Sequence, residues 1–333
     1  MIETARRLRI ATFNLESLGT EEEPAAPLAS RLAVLRPQLQ RLRADVLCLQ
    51  EVDAQRSESG EGGTYRRVEA LDRLLKDTDY AHFHRALSLG LSGRRPADRH
   101  NLVVLSRWPL VAWESLHHRL VSPPLVPLAT AQPHGSKSEL QWDRPLLRVT
   151  VRLPGDRPLH LINLHLRAPL AAPVPGQRQD GVWNSVAGWA EGFYLASMKR
   201  AGQALEARLV VEELLDLEPD ALVMVAGDLN AEEGEVPVRI LRGAASDIEA
   251  PALAQRELLS LTRSLAREQR FSLLYNGRRA LYDHLLASPS LAALFTRCEI
   301  HNEGLHDEGA LPPGSPHSFH APVLAEFALP GAG

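Results

Sequence analysis

The segment VMVAGDLNAEE, residues 223–233, ends an apolar run with an acidic and an amide side chain two positions apart. A short apolar run bounded by turn residues is typical of a strand that is buried on both faces. Side chains two positions apart in a strand share a face, so Asp228 and Asn230 point the same way. Such a pair could hold a water, a metal or a phosphate, although Asp, Asn and Gly are also common at ordinary strand exits.

The same types of polar residue end or interrupt five other apolar runs of the chain. They are Asn14 in ATFNLES, Gln50 and Glu51 in VLCLQEV, Asn163 and His165 in LINLHL, Asp283 in YDHLLAS, and His320 in SFHAPVL. Taken singly, each is more simply explained as a turn residue, a strand exit or a core histidine. At strand ends of one scaffold, however, carboxylates, amides and imidazoles can converge, and that set suits metal-assisted attack on a phosphate ester.

The elements that must position these residues follow from the hydrophobic pattern. Apolar or alternating runs predict strands over residues 8–15, 45–52, 101–110, 147–153, 158–166, 221–230, 270–276, 281–288 and 322–329. Leucines at helical spacing predict helices over residues 28–42, 65–78 and 198–217, and a helical stretch over 253–270. Helices that sit between groups of strands indicate packed sheets with helices outside.

Composition excludes several classes of protein. With 44% hydrophobic and 23% charged residues the chain is an ordinary globular protein, and a net charge of -4 argues against indiscriminate nucleic-acid binding. Two isolated cysteines make neither a disulfide framework nor a zinc site. No apolar run approaches the length of a membrane span and no secretory signal is visible, so we expect a cytoplasmic protein with no obligate protein partner.

The order of the motifs resembles one known family. Asn, Gln-Glu, Asn-x-His-Leu, Gly-Asp-Leu-Asn, Asp-His and His-x-Pro-Val follow one another as in the endonuclease/exonuclease/phosphatase (DNase I-like) family, over residues 10–327. The resemblance implies an α+β fold, a four-layer α/β sandwich in which two mixed β-sheets lie face to face under outer helices. It also implies one domain over residues 1–333, with its core at 8–329.

The resemblance further implies a cofactor, Mg²⁺ or Mn²⁺, and a water that attacks phosphorus in line. Glu51 would be the principal metal ligand, and Asn14 would sit beside the metal and the phosphate. Asp228 would align or deprotonate the attacking water. Asn230 would hydrogen-bond the phosphate and fix Asp228. The substrate would be a phosphate ester.

The other half of the site would carry two histidines. His320 would donate to the phosphoryl oxygen, and Asp283 would hold His320 in the needed tautomer. His165 would face the phosphate from the opposite side with Asn163 in support, although no carboxylate partner for His165 is evident. Asn101 and Arg144 are weaker candidates for phosphate contacts.

One departure from the family pattern concerns the C-terminal motif. The family ends in Ser-Asp-His, whereas this chain has Ser318-Phe319-His320. A phenyl ring cannot bind Mg²⁺, so the metal site is poorer in carboxylates, or Asp307 or Glu308 reaches in, or Phe319 belongs to the core. Phe319 also favours the alternative function, a catalytically weak or silent binding domain. Retained buried polar groups at the other motifs argue against that alternative.

Two segments are candidates for selecting the substrate. Residues 122–145 form a long Pro-rich loop, and residues 167–199 form an insertion that begins at the site rim. Apolar residues of the insertion recur at helical spacing and are predicted to pack inward: Trp183, Val186, Ala187, Ala190, Phe193 and Tyr194. Trp189 falls off that stripe and is the candidate substrate contact. The family cleaves DNA, RNA tails, phosphoinositides and sphingomyelin, and the choice among them, diester or monoester, and one metal or two stay open.

Overall fold

Two six-stranded sheets form the centre of the structure, a computed structural model that describes residues 6–58, 64–312 and 314–330. Residues 1–5, 59–63, 313 and 331–333 of the predicted domain lie outside the described residues. The strands in chain order are β1 (Arg6–Leu18), β2 (Val46–Val52), β3 (Gln55–Glu58), β4 (Thr64–Arg67), β5 (His84–Leu87), β6 (Asn101–Ser106), β7 (Leu110–Leu116), β8 (Leu125–Pro127), β9 (Lys137–Glu139), β10 (Leu146–Leu153), β11 (Arg157–His165), β12 (Arg178–Gln179), β13 (Val182–Trp183), β14 (Leu222–Asp228), β15 (Leu259–Ser260), β16 (Leu273–Tyr275), β17 (Arg278–Ala280), β18 (Asp283–Ala287), β19 (Phe295–Ile300) and β20 (Val323–Leu329).

Both large sheets are mixed. The first has the order β19-β20-β1-β2-β6-β5 and the second the order β15-β18-β14-β11-β10-β7. In the first, β1 runs parallel to β2 and antiparallel to β20. In the second, β11 runs parallel to β14, and β18 is antiparallel to β14. The pairing of β1 with β20 places the first and last described strands side by side in one sheet.

Helices cover the outer face of each sheet. They are α1 (Leu28–Leu42), α2 (Glu69–Leu75), α3 (Val186–Leu217), α4 (Val236–Arg242), α5 (Ala245–Ile248) and α6 (Pro289–Ala292), with short 3-10 helices at Asp79–His82, Pro251–Arg256, Leu261–Ser264, Arg267–Gln269 and Glu308–Ala310. The leucines of α1, spaced three or four apart, are buried with α2 against the first sheet. Apolar residues of α3 and α4 pack on the second sheet. The fold is therefore the expected four-layer α+β sandwich.

The space between the sheets is a single apolar core. Side chains from β1, β2 and β20 meet those from β10, β11, β14 and β18 there, and all of them are fully or nearly fully buried. None of the helices that the described ranges contain is long and apolar enough to cross a membrane.

One glycine permits the close approach of two strands beside the polar cluster. Gly227 has a φ of 141°, and a Cβ at this position would collide with the carbonyl oxygen of Leu164 on β11. Only glycine therefore fits between Ala226 and Asp228 at the end of β14.

Several parts of the chain differ from the sequence prediction. Helix α3 begins at Val186, because Ser185 caps it by accepting from the N–H of Gly188, at 2.9 Å. The predicted helical stretch 253–270 consists of short 3-10 turns around β15. Residues 122–145 are not a plain loop, because they contain the β8–β9 hairpin, which packs on the 167–199 insertion.

Candidate active site

The polar cluster lies where ends of β1 and β2 face ends of β11, β14 and β18. Strand register aligns His165 with Asp228 and Asp228 with Asp283 across three neighbouring strands. The amide of Asn14 joins the two sheets, because its Nδ2 donates to Asp228 Oδ2 at 3.0 Å and to Glu51 Oε1 at 3.1 Å. One asparagine thus connects carboxylates that are far apart in sequence.

A bulge in β1 holds Glu51 in place. The register of β1 and β2 shifts between Asn14 and Leu18, and within that interval Glu16 and Ser17 have φ values of 52° and 50°. Glu51 itself has a φ of 56°. The bulge turns Ser17 towards Glu51, so that its N–H and its hydroxyl both donate to Glu51 Oε2, at 2.9 and 3.0 Å.

Three ligating side chains converge beside this bulge. Nε2 of His165 lies 3.4 Å from Glu51 Oε1 and 3.5 Å from Asp228 Oδ2, so the histidine has the carboxylate neighbours that the sequence did not reveal. Glu51, His165 and Asp228 form a group that could hold a metal ion. Two carboxylates and one imidazole fit Mn²⁺ well, and the two carboxylates fit Mg²⁺.

His320 pairs with a buried carboxylate. Its Nδ1 lies 2.7 Å from Asp283 Oδ2, and its Nε2 lies 3.8 Å from Asp228 Oδ2. Burial would lower the pKa of His320, but the carboxylates of Asp283 and Asp228 raise it well above the usual value. The imidazole is therefore a cation that can donate a proton or a hydrogen bond towards Asp228.

Asp228 is held by the residue two positions after it. The N–H of Asn230 donates to Asp228 Oδ1 at 2.8 Å, and Asn230 Nδ2 donates to Oδ2 at 3.1 Å. Burial raises the pKa of Asp228 to about 7, with His320 lowering it and Asp283 raising it further. A carboxylate with a pKa near neutrality is suited to accept a proton from water.

An arginine and a histidine line the rim near Glu51. Arg144 donates to His100 Nδ1 from Nη2 at 2.6 Å and from Nε at 3.2 Å, and to Leu166 O at 3.4 Å. Burial lowers the pKa of His100 to about 4, so the ring is neutral. Because its Nδ1 accepts from Arg144, its Nε2 carries the proton and faces Ser17 Oγ at 3.3 Å. The structure thus brings Arg144 into the cluster.

The charge of Glu51 is kept by these neighbours. Burial would raise the pKa of Glu51, but His165, His100, Arg144 and the amide of Asn14 together hold it well below the usual range. Burial and Arg144 also lower the pKa of His165 well below its usual value. The amide of Asn14 and the N–H and hydroxyl of Ser17 also donate hydrogen bonds to this carboxylate.

Two predicted site residues, Asn163 and Asn101, need correction, because their amides are fully used by hydrogen bonds inside the protein. Asn163 is completely buried, donates to Leu49 O and Val103 O at 3.1 Å each, and accepts from Gln50 Nε2 at 2.7 Å. Asn163 therefore joins the two sheets below the site and does not reach a substrate.

Asn101 is likewise structural. Its Oδ1 accepts from the N–H of Ala97 at 2.8 Å, and its Nδ2 donates to Val52 O and Ala97 O, both at 2.9 Å. It fastens the loop before β6 to the end of β2, with no donor left for a phosphate.

Most of the apolar stripe of the 167–199 insertion faces solvent, contrary to prediction, whereas Trp183 packs inward as predicted. Val186, Phe193 and Tyr194 are 82%, 41% and 56% exposed. The packed face of α3 instead carries Gly188 and Gly192, where a side chain would collide with Gln177 and Ala172. The predicted contact Trp189 is 46% exposed and stacks on Phe193, with 5.7 Å between the ring centroids. Trp189 thus belongs to an exposed apolar face.

The residues near the missing family carboxylate also differ from expectation. Phe319 is only partly buried and lines a cavity of about 220 Å³ with Glu16 and Arg31, so it is not a core residue. Asp307 accepts from the backbone N–H groups of Asn276, Gly277 and Gly309 and caps a turn.

Glu16 is the acidic residue that sequence reasoning missed. Burial, then Glu51, raise the pKa of Glu16 to about 7, and Glu308 raises it as well. Its signal was available, because Asn14 and Glu16 have the same two-residue spacing as Asp228 and Asn230. His100 and Ser17, by contrast, reach the site because their backbones have positive φ, and no sequence motif predicts that conformation.

Two face-to-face sheets with carboxylates, amides and histidines at their common edge define a DNase I-like protein. The chain belongs to the Endonuclease/Exonuclease/phosphatase family, whose model matches residues 11–317. None of the curated proteins compared with the chain matches it significantly.

Solved structures share the fold at low sequence identity. An endonuclease/exonuclease/phosphatase family protein from Bacteroides thetaiotaomicron is 13% identical with a TM-score of 0.58, and the match covers 98% of this chain and 97% of that one. Truncated TDP2 from Caenorhabditis elegans is 14% identical with a TM-score of 0.54, over 97% and 98% of the two chains. An AP endonuclease from Archaeoglobus fulgidus is 16% identical with a TM-score of 0.51, over 97% and 100%.

Proposed function

We propose that this protein is a metal-dependent phosphoesterase that hydrolyses a phosphodiester or phosphomonoester by attack of an activated water. The observation that carries the proposal is the cluster of Glu51, His165 and Asp228, which Asn14 joins across the two sheets. Membership of the family supports the same class of reaction.

Glu51 and His165 would hold the cation, with Asn14 and Asp228 beside them. Bound there, Mg²⁺ or Mn²⁺ would neutralise phosphate charge and orient the ester. Nε2 of His165 faces the carboxylates, and burial and Arg144 lower the pKa of the ring, which favours the neutral form that ligates metals. The proton of that form would sit on Nδ1, which is buried and unpartnered among the described residues.

Asp228 would accept the proton of the attacking water. Its pKa of about 7 allows it to exist as a base at neutral pH and still take up a proton during reaction. Asn230 would keep the carboxylate oriented through the two hydrogen bonds that it donates. Its remaining Nδ2 contact is to Leu166 O at 3.0 Å, so the side chain acts chiefly by positioning.

His320 would stabilise the charge that builds on the phosphoryl oxygens. The carboxylate of Asp283, at 2.7 Å, holds the ring with Nε2 towards the site and keeps it protonated. A cation at this point in a buried, low-dielectric cluster stabilises a developing negative charge far better than it would in water.

Arg144 is the proposed phosphate contact on the opposite rim, and Trp189 marks a proposed substrate wall. Arg144 combines a fixed charge with a geometry set by His100, so it suits recognition of a phosphate group. The aromatic pair on α3 offers an apolar surface for the part of the substrate that is not cleaved.

We propose that the protein is located in the cytoplasm. Its two buried free cysteines are consistent with that reducing compartment.

The alternative function is a silent or weakly active binding domain, and Phe319 is the feature that favours it. A phosphodiesterase assay separates the two functions. We expect hydrolysis of bis-p-nitrophenyl phosphate with Mg²⁺ or Mn²⁺ and none with EDTA. Absence of hydrolysis with either metal, on this ester and on DNA, RNA, inositol phosphates and sphingomyelin, would favour the binding domain.

A further inference from the structure

A buried arginine on α1 touches both halves of the candidate site without being one of its ligands. Arg31 is only 7% exposed, and its guanidinium donates to three backbone carbonyls. Nη2 donates to Leu15 O and, at 2.8 Å, to Glu16 O, while Nη1 donates to His317 O at 3.1 Å. Most buried arginines pair with carboxylates, but none lies within ion-pair distance of Arg31 in the part of the chain that the structure describes.

The first two carbonyls belong to the bulge that positions Glu51. Glu16 and Ser17 both have positive φ, a conformation that residues with side chains rarely adopt and that neighbouring structure must maintain. Ser17 in this conformation gives two hydrogen bonds to Glu51. Arg31 therefore acts on Glu51 through the bulge.

The third carbonyl belongs to the segment that delivers His320. The hydroxyl of Ser318, next to His317, donates to Asn14 O at 2.8 Å and accepts from the N–H of His320 at 3.1 Å. The guanidinium thus holds the Glu51 side and the His320 side of the cluster at a fixed separation.

We propose that Arg31 is a positioning residue that clamps the β1 bulge to the His317–His320 segment and so sets the distance between the metal-binding group and His320. This inference rests on the proposed function of the site. The charge of Arg31 adds to the effect, because Glu16, Glu51 and Asp53 all lie close enough to influence its pKa. It offsets like charges that would otherwise repel one another around the bulge.

The test compares Arg31→Ala with Arg36→Ala. Arg36 lies on the same helix and also donates to two backbone carbonyls, those of Leu74 at 3.1 Å and Arg73 at 2.6 Å, but these are remote from the site. For Arg31→Ala we expect Mn²⁺ binding by the free protein, measured by calorimetry, to weaken about tenfold. We expect kcat to fall about 10²-fold with little change in KM, because a small misplacement of reacting groups has that size of effect.

Chemical rescue distinguishes a clamp from general loss of stability. The cavity of about 220 Å³ beside Arg31 gives a small cation access to the space that the substitution leaves. Millimolar methylguanidinium should raise the kcat of Arg31→Ala about tenfold or more, because it replaces the planar donors of the arginine side chain. The increase should saturate with methylguanidinium concentration. Arg36→Ala should keep Mn²⁺ affinity and kcat within about twofold and should not respond to methylguanidinium.

Arg31→Lys covers the case in which Arg31→Ala does not fold. One ammonium group cannot span Glu16 O and His317 O together, so we expect a folded protein with kcat lowered about tenfold or more. Wild-type kcat in Arg31→Lys, or equal Mn²⁺ affinity in Arg31→Ala and Arg36→Ala, would overturn the clamp. Failure of the wild type to hydrolyse any phosphate ester would instead overturn the proposed function. The ratio of the Mn²⁺ affinities of Arg31→Ala and Arg36→Ala tests the role of Arg31 without depending on activity.

Discussion

Replacing Asp283 by Asn should separate the role of the carboxylate from that of its partner histidine. The two side chains are 2.7 Å apart and Asp283 is fully buried. Among the residues that the structure describes, no other charged group contacts Nδ1 of His320. A hydrogen bond to a charged group contributes about 1.5–3 kcal/mol. Since about 1.4 kcal/mol corresponds to a factor of ten, full loss of the contact in the transition state predicts a fall in kcat of about 10–150-fold.

The sign of the pH effect follows from the same contact. Asp283 raises the pKa of His320, so in the wild type the imidazole stays protonated well above its usual range. Removing the carboxylate lets the ring lose its proton at lower pH. The alkaline limb of the kcat profile should therefore move to lower pH in Asp283→Asn, while Asp307→Asn, a matched change at the exposed turn, leaves it in place.

The assay is bis-p-nitrophenyl phosphate hydrolysis at saturating substrate from about pH 5 to pH 9, the range over which a histidine of altered pKa titrates. Asp283→Asn/His320→Ala should be little slower than His320→Ala, because members of one catalytic unit are not additive. An unmoved alkaline limb, or losses that simply multiply in the double variant, would refute cooperation between the two residues.

Three further changes test other parts of the account. Asp228→Asn should lower kcat by about 10²–10⁴-fold with little effect on KM, as steady-state kinetics would measure, and a loss confined to KM would exclude proton transfer to Asp228. Phe319→Asp should tighten Mn²⁺ binding by the free protein, because it adds a carboxylate. It should not lower the melting temperature much, because Phe319 lines a cavity outside the core. Unchanged Mn²⁺ affinity by calorimetry together with a large fall in melting temperature would contradict this. Burial, then Arg148, lower the pKa of His160 from 6.5 to about 4, so its contribution to stability is present above pH 6.5 and lost as pH falls towards 4. His160→Gln should flatten that decline in the free energy of unfolding, measured by urea denaturation, and an identical decline would show that other groups cause it.

Strand ends could be predicted from sequence because their signals are local. The run before Asp228 is apolar and the glycine before it is required. Asn230, by contrast, lies beyond the end of the strand with a φ of 46°, and it reaches Asp228 through a turn and not through strand alternation. His165 ends β11 at the same edge, where the strand register aligns it with Asp228. Depth along the strand was not predictable. Asn163 and His165 are two residues, or about 6.6 Å, apart along β11. The opposite sheet covers Asn163, whereas His165 lies at the site.

Other errors came from backbone features that break periodicity. Glu16 and Ser17 both have positive φ, so the direction in which Ser17 points cannot be read from strand alternation. On α3 the helical stripe was identified correctly, but which face packs depended on Gly188 and Gly192, whose lack of side chains lets the insertion come close. Helical spacing marks a face as apolar and does not say what covers it.

The most direct test of the central claim is the rate of phosphodiester hydrolysis by Glu51→Gln beside the wild type in one Mn²⁺ buffer. Glutamine keeps the shape of Glu51 and its contact with Asn14, but it removes the charge next to His165 and Asp228. We expect the wild type to hydrolyse bis-p-nitrophenyl phosphate only with divalent metal, and we expect Glu51→Gln to lose most of this activity and its Mn²⁺ binding. Equal rates in the two proteins, or full wild-type activity in EDTA, would contradict it.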